Sequence, residues 1–136
     1  MFGGSASDLL RGLGANDFLN GMGGHDRLEG GAGYDEMGFP GVPDLGAEVD
    51  LGAGRASHGP DTYALVGIEG AFGTEQADVL AGSGAANRLV GSLGDDMIQG
   101  REGDDTLDGH DGTDTLDGGE GTDRCVSGET LVSCEA

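Results

Sequence analysis

A glycine returns every nine residues through the stretch Gly91 to Val126, and this period limits the fold more than any other feature of the chain. The stretch reads GSLGDDMIQ, GREGDDTLD, GHDGTDTLD, GGEGTDRCV. Each unit opens with Gly (Gly91, Gly100, Gly109, Gly118) and carries Gly again at its fourth position (Gly94, Gly103, Gly112, Gly121). The sixth position is Asp (Asp96, Asp105, Asp114, Asp123), and the eighth is Ile98, Leu107, Leu116 or Cys125. One apolar residue in nine is too little for an amphipathic helix with its period of about 3.6. It is enough for a very short strand with one inward residue, followed by a tight glycine-rich turn.

The same phase holds elsewhere. Residues 3–38 divide into GGSASDLLR, GLGANDFLN, GMGGHDRLE and GGAGYDEMG, with Asp8, Asp17, Asp26 and Asp35 sixth and Leu10, Leu19, Leu28 and Met37 eighth. Residues 73–126 hold six units, the four above preceded by GTEQADVLA and GSGAANRLV. In those two, Gln76 and Ala85 replace the fourth Gly and Asn87 replaces the sixth Asp, while Asp78, Leu80 and Leu89 keep the pattern. Across ten units the first residue is always Gly, the sixth is Asp in nine, and the eighth is always Leu, Ile, Met or Cys. A Gly/Asp-rich linker has no reason to hold three positions in phase for so long. Ala6 and Ala15 stand at fourth positions. If those positions require a left-handed backbone, each costs about 1 kcal/mol.

Composition explains why such a chain needs help to fold. Its 136 residues suggest one domain, 1–136, with 26 acidic against 6 basic residues and a formal charge of -20. Few aromatic residues, no Trp and 31 Gly resemble a disordered polymer, because ordering glycine costs the most backbone entropy. Bound cations would cancel the self-repulsion and cross-link the turns. The acidity argues against nucleic acid as a partner. No apolar run reaches transmembrane length, and no basic-then-apolar signal opens the chain. We read a domain excised from a longer protein, or one exported by another route.

The pattern G-G-x-G-x-D-x-U-x, with U a large apolar residue, is the nonapeptide of calcium-binding β-rolls. The chain resembles the repeats-in-toxin (RTX), or hemolysin-type, calcium-binding repeat family. The resemblance implies an all-β, right-handed parallel β-roll (β-solenoid) of stacked nonapeptide half-coils. Calcium takes six to eight oxygens at about 2.3–2.6 Å, and small-residue turns expose the carbonyls it needs. In the family two nonapeptides form one coil, so each ion sits between turns that are eighteen residues apart. Carried onto this chain, the pairs are Asp8 with Asp26, Asp17 with Asp35, Asp78 with Asp96, Asn87 with Asp105, Asp96 with Asp114, and Asp105 with Asp123. The first- and fourth-position glycines from Gly91 to Gly121 supply the backbone of those turns. About six Ca2+ ions would bring the charge from -20 to about -8. The degenerate units should bind more weakly. Asp95 and Asp104 at the fifth position, and Asp108 and Asp117 at the ninth, read as solvated surface charges. His25, His58 and His110 do not cluster as a zinc site would.

Residues 39–72 break the repeat. Gly30 to Gly73 spans 43 residues, two short of five nonapeptides, so an irregular loop is required. Pro40, Pro43 and Pro60 fit loops and strand ends. Residues 47–51 alternate as a half-buried strand, 52–54 form a turn, and 63–68 with 71–72 read as further strand pieces. The resemblance implies a non-calcium spacer that continues the roll with wider, apolar-filled turns. Past Val126 the repeat frays, and residues 127–136 would form a cap. Cys125 and Cys134 suit an oxidising, extracellular setting and are expected to form a disulfide, the alternative being a reduced pair that only packs. A continued roll would put them on facing sheets, straining the limit of about 7 Å between Cα atoms. A hairpin near Glu129 and Thr130 would set them directly opposite, and is the expected form of the cap.

Function follows as a calcium-binding structural module of a secreted bacterial protein. It would fold on binding calcium outside the cell and stabilise an attached domain or help its export. An adhesive or ligand-binding module is the alternative, using the spacer or the outward seventh-position residues Leu9, Phe18, Val79 and Met97, which could also support oligomers. A carbohydrate-active enzyme ranks lower, since the carboxylates are accounted for by turns and no Ser-His-Asp set appears.

Overall fold

The computed structural model describes residues 1–39 and 44–135, so Pro40 and Pro43 lie outside the described residues. The first block supplies β1 (Leu9–Gly14), β2 (Phe18–Leu19), β3 (His25–Ala32) and β4 (Glu36–Gly38). The irregular segment supplies β5 (Ala47–Asp50), β6 (Arg55–His58), β7 (Asp61–Val66) and β8 (Gly70–Phe72). The second block supplies β9 (Val79–Ala81), β10 (Arg88–Leu93), β11 (Met97–Glu102), β12 (Thr106–Asp111), β13 (Thr115–Glu120) and β14 (Arg124–Val126), and β15 (Thr130–Val132) follows it. Among the described residues there is no helix, and thus none long and apolar enough to cross a membrane. The strands wind into a parallel β-solenoid of about 7 turns.

In the repeats successive strands alternate between two sheets, so strands two units apart become neighbours. One sheet runs β1-β3-β7-β6-β5-β9-β11-β13-β15 and the other β14-β12-β10-β8-β4-β2. In the repeats the register steps by eighteen residues: Leu10 pairs with Leu28, Leu19 with Met37, Leu89 with Leu107, and Ile98 with Leu116. Eighth positions therefore stack into one column per sheet. Leu19, Leu28, Met37, Leu80, Leu89, Ile98, Leu107 and Leu116 are all fully buried. Each contributes roughly 1.5–3 kcal/mol by leaving water.

The spacer is not built from wide parallel turns alone. β5, β6 and β7 form an antiparallel meander inserted between β3 and β9. On the opposite sheet only β8 separates β4 from β10. At about 4.8 Å per strand, one face spans about 19 Å where the other spans about 10 Å. Large side chains occupy the resulting wedge. Phe39 packs against Tyr63 at 5.5 Å and against His58 at 5.9 Å between ring centroids. Val49, Leu65 and Ile68 complete this part of the core.

The C-terminal end corrects the expected hairpin. β15 runs parallel to β13 in one sheet, while Cys125 lies on β14 in the other. The roll continues through a shortened coil, with Thr115 opposite Thr130 and Arg124 bridged to Glu135. Cys134 lies beyond β15, where the short coil has already returned the chain over β14. The disulfide to Cys125 forms there, with Cα atoms 5.7 Å apart. A cap of this kind restricts the unfolded chain and is worth roughly 2–3 kcal/mol for so short a loop.

Candidate metal centre

In the repeats each strand begins just after the sixth-position Asp or Asn, save β3, which takes in Asp26, and that side chain turns inward rather than toward solvent. Asp26, Asp35, Asp78, Asn87, Asp96, Asp105, Asp114 and Asp123 are all at least 96% buried. Asp8 and Asp17, before β1 and β2, are half-buried. The first-position Gly makes room for the carboxylate. A Cβ at Gly91, Gly100, Gly109 or Gly118 would lie within 3 Å of the Asp five residues on, and of a carbonyl from the next coil. Only a residue without a side chain fits.

All six expected pairs are in register. The amide of the earlier residue donates to Oδ1 of the later one: Asp8 to Asp26 at 2.8 Å, Asp17 to Asp35 at 2.8 Å, and Asp78 to Asp96 at 2.8 Å. Asn87 donates to Asp105 at 2.7 Å, Asp96 to Asp114 at 2.9 Å, and Asp105 to Asp123 at 2.9 Å. One carboxylate oxygen is thereby satisfied. The other, Oδ2, is buried and has no hydrogen-bond partner in Asp17, Asp26, Asp35, Asp96, Asp105, Asp114 and Asp123. A buried anionic oxygen without a partner costs several kcal/mol, and a cation is the natural remedy. In the regular units it faces the next coil's first-position carbonyl: Gly109 O beside Asp96 and Gly118 O beside Asp105. These are hard oxygen donors, the set that suits calcium. Among the described residues no three His, Cys, Asp or Glu side chains converge on one point. A site here would draw on carboxylates and main-chain carbonyls together.

Burial acts on the protonation of these groups. It pushes the Asp96 carboxyl up to about 7, with Asp78, Asp114 and Asp95 nearby adding repulsion. Burial also raises Asp78 and Asp105 above the usual carboxylate range.

Three residues of the expected set differ from the rest. Asp8 Oδ2 accepts from the Gly4 amide at 2.6 Å. Asp78 Oδ2 accepts from the Thr74 amide, and its Oδ1 accepts from the Thr74 hydroxyl and the Ala47 amide. Asn87 Oδ1 accepts from the Ser83 amide and hydroxyl, while its Nδ2 donates to the Glu69 carbonyl. In the two degenerate units, the Thr or Ser at the second position satisfies the polar side chain that elsewhere lacks a partner. Asp26 is limited differently. Where the next carbonyl would sit, the Tyr63 ring closes over Gly21, and the Tyr63 hydroxyl donates to the Met22 carbonyl at 2.7 Å.

Several features were not anticipated from the sequence. Asp95 and Asp104 accept from the amides of Thr113 and Thr122, each at 2.9 Å, and Asn16 accepts from Tyr34 in the same way. The fifth position thus ties coils together in the direction opposite to the sixth. The second position is left-handed in seven of the ten units. Leu13, Met22, Ser92, Arg101 and His110 all have φ between 73° and 91°. Each costs about 1–2 kcal/mol of backbone energy, and Gly31 and Gly119 avoid that cost. At the fourth position Gly94, Gly103, Gly112 and Gly121 are left-handed, with φ from 110° to 152°. Ala15 follows them at 81°, whereas Ala6 is not in that region. The expected penalty falls on Ala15 alone of the two. Finally, Glu69, Glu129 and Glu135 accept amides of Asp35, Asp114 and Asp123, where no repeat Asp is available.

The model of the RTX calcium-binding nonapeptide repeat, in 4 copies, matches residues 2–37, 72–100 and 90–125. A search among curated proteins found no match. The unmatched interior holds the antiparallel meander and most of β8, and the matched segments span well over half of the chain. With its stacked Gly-x-x-x-x-Asp turns and parallel solenoid, this chain belongs to the RTX calcium-binding nonapeptide repeat family.

Proposed function

We propose that this chain is a calcium-dependent structural module of a secreted bacterial protein. It stays loose where calcium is scarce and closes into the roll where calcium is about millimolar. Folding then stabilises an attached domain of a longer parent protein and favours its export. The whole of 1–136 acts as one unit in this reading. The observation that carries it is the row of seven buried sixth-position carboxylate oxygens without partners among the described residues, in a chain of formal charge -20. A purely structural fold would gain nothing by burying them.

The sites differ in strength. Asp17 with Asp35, Asp96 with Asp114, and Asp105 with Asp123 each bring two partnerless oxygens. Asp8 with Asp26, Asp78 with Asp96, and Asn87 with Asp105 bring one each, and fill last among the six. Circular dichroism across a calcium titration tests the reading. Strand signal should be small in excess chelator and grow with calcium. A full signal in chelator would sink it.

A second reading has one observation in its favour. Phe18 and Phe72 meet edge to face at 5.9 Å on the outer side of the smaller sheet, where they line a groove of about 300 Å³ with Glu36, Gly38 and Phe39. The Arg88 guanidinium lies over the Phe72 ring at 4.9 Å and pairs with Glu36 at 3.2 Å. This face would suit an adhesive or ligand-binding module. Calcium-dependent binding to a glycan or surface that is lost on Phe18→Ser would favour it over the purely structural role.

A further inference from the structure

Three segments outside the repeats share one compact turn: Gly67-Ile68-Glu69, Ser127-Gly128-Glu129 and Ser133-Cys134-Glu135. Each opens with a left-handed residue, at φ 59°, 54° and 49°. In each, the opening carbonyl comes within 3 Å of where a Cβ would stand on a first-position glycine of the neighbouring coil: Gly30, Gly109 and Gly118 respectively. The glutamate amide donates to the carbonyl of the neighbouring sixth-position Asp, with N···O distances of 2.8 Å to Asp35, 3.1 Å to Asp114 and 2.7 Å to Asp123. Its carboxylate in turn accepts that same Asp's amide. The middle residue faces the core. Ile68 is buried, Cys134 packs against the core, and a side chain on Gly128 would strike Leu116.

A repeat turn separates its first carbonyl from its carboxylate by five residues; these turns do so in two. The extra methylene of Glu offers the reach that the shortened backbone gives up. The three Asp residues they cover are each at least 99% buried, and each retains an Oδ2 with no partner. That oxygen and the new turn's carbonyl flank the same glycine.

We propose that the Gly/Ser-x-Glu turn is a contracted equivalent of the Gly-x-x-x-x-Asp turn. It completes three further divalent-cation sites, at Asp35 with Glu69, Asp114 with Glu129, and Asp123 with Glu135. The inference rests on the calcium reading above. It extends cation binding into the spacer and the cap, two regions outside the matched repeats. The ladder of ions then ends at the disulfide, where Cys134 is itself the middle residue of the last turn.

Counting bound calcium by native mass spectrometry on the full chain tests this, with circular dichroism to check that each variant forms the roll. Glu69→Gln, Glu129→Gln and Glu135→Gln each lower the count by one, and the triple variant lowers it by three. Gln keeps an oxygen for the Asp amide, so the turn is retained. Glu102→Gln, at an exposed third position, leaves the count unchanged. A triple variant with the wild-type count, in a chain whose count still falls on Asp105→Asn, overturns this inference and leaves the calcium reading intact. A wild-type chain that binds no calcium overturns both.

Discussion

In the spacer, Phe39, Tyr63 and His58 pack ring against ring, Tyr63 donates to Met22, and Arg101 grips Asp50 through two hydrogen bonds at 2.8 and 2.9 Å. From Gly91 to Val126 the interior is instead one Ile, Leu or Cys per nine residues, flanked by buried carboxylates that each keep one oxygen without a partner. A leucine leaving water gains roughly 1.5–3 kcal/mol. An ionised carboxylate buried without a counter-charge costs several kcal/mol. In the repeats the second term cancels the first, unit by unit, unless a cation intervenes. Among the described spacer residues no carboxylate oxygen is buried without a partner, and the Glu69 turn meets such an oxygen only at the edge of the first block, on Asp35. The two regions share a sheet and differ in what holds them: apolar burial in one, coordination in the other.

The largest test of that contrast is calcium removal, read by amide hydrogen exchange. Amides of β11, β12 and β13 should lose more than about 100-fold in protection, equivalent to roughly 3 kcal/mol of local stability. Amides of β5, β6 and β7 should lose much less. Equal losses in both regions would break the comparison. Next is Phe39→Ala, which empties the centre of the wedge and should cost about 3–5 kcal/mol in urea unfolding of the calcium-loaded chain. Its effect on the calcium midpoint of the β11–β13 amides should be slight, because the ring packs against Tyr63 and His58 in the spacer. A large shift of that midpoint would mean that the aromatic core and the ion sites form one cooperative unit.

Much of this division was legible in the sequence, for identifiable reasons. The stacked columns at Leu28, Ile98 and Leu116 follow from a period kept in every unit, and the register of eighteen follows from two units per coil. The meander was not legible. Residues 55–58 carry Arg, Ala, Ser and His, without an apolar run to mark a strand, and β6 owes its place to hydrogen bonding between β5 and β7. The hairpin expectation failed because cysteines nine residues apart fit two geometries, and only the shortened turns at Ser127 and Ser133 decide between them. Likewise, nothing in a one-letter code tells that Thr74 satisfies Asp78 while Ser92 leaves Asp96 with a free oxygen. The two hydroxyl residues sit at the same position, but Ser92 is left-handed at φ 91° and Thr74 is not.

A smaller, sharper test uses glycine. Gly100→Ala puts a methyl group within 3 Å of both the Asp105 carboxylate and the Gly118 carbonyl, with no flexible end to give way. It should cost about 1–3 kcal/mol and weaken calcium binding. Gly84→Ala is its control, since the nearest atom to the added methyl is the end of the Glu102 side chain at 3.7 Å. Its midpoints in urea and in calcium should match wild type. A harmless Gly100→Ala would show that the first-position glycines are not the cradle described.

The subtlest effect is the response to pH, and it should have opposite signs in the two regions. Burial raises the Asp96 carboxyl to about 7 from an ordinary 3.8, and raises Asp78 and Asp105 as well. A carboxyl raised in the folded state binds its proton more tightly there than in the unfolded chain. Its contribution to the calcium-free roll is therefore fully present below about pH 4, and is lost as pH rises through about 7. Asp50 is the reverse, since hydrogen bonds from Arg101 hold it below the usual range. What it contributes is present above about pH 4 and fades in stronger acid. In chelator, then, lowering the pH from 7.5 to 4.5 should raise strand signal and protect the repeat amides, with protons standing in for ions. In calcium the trend reverses, because binding needs the ionised carboxylate, and affinity climbs over the same interval. Asp96→Asn should flatten both trends, while Asp50→Asn should leave the repeat amides' response as it was. If chelated repeats lost protection on acidification instead, the buried carboxylates would be stabilising the roll as anions without metal, and the contrast between the two regions would fall.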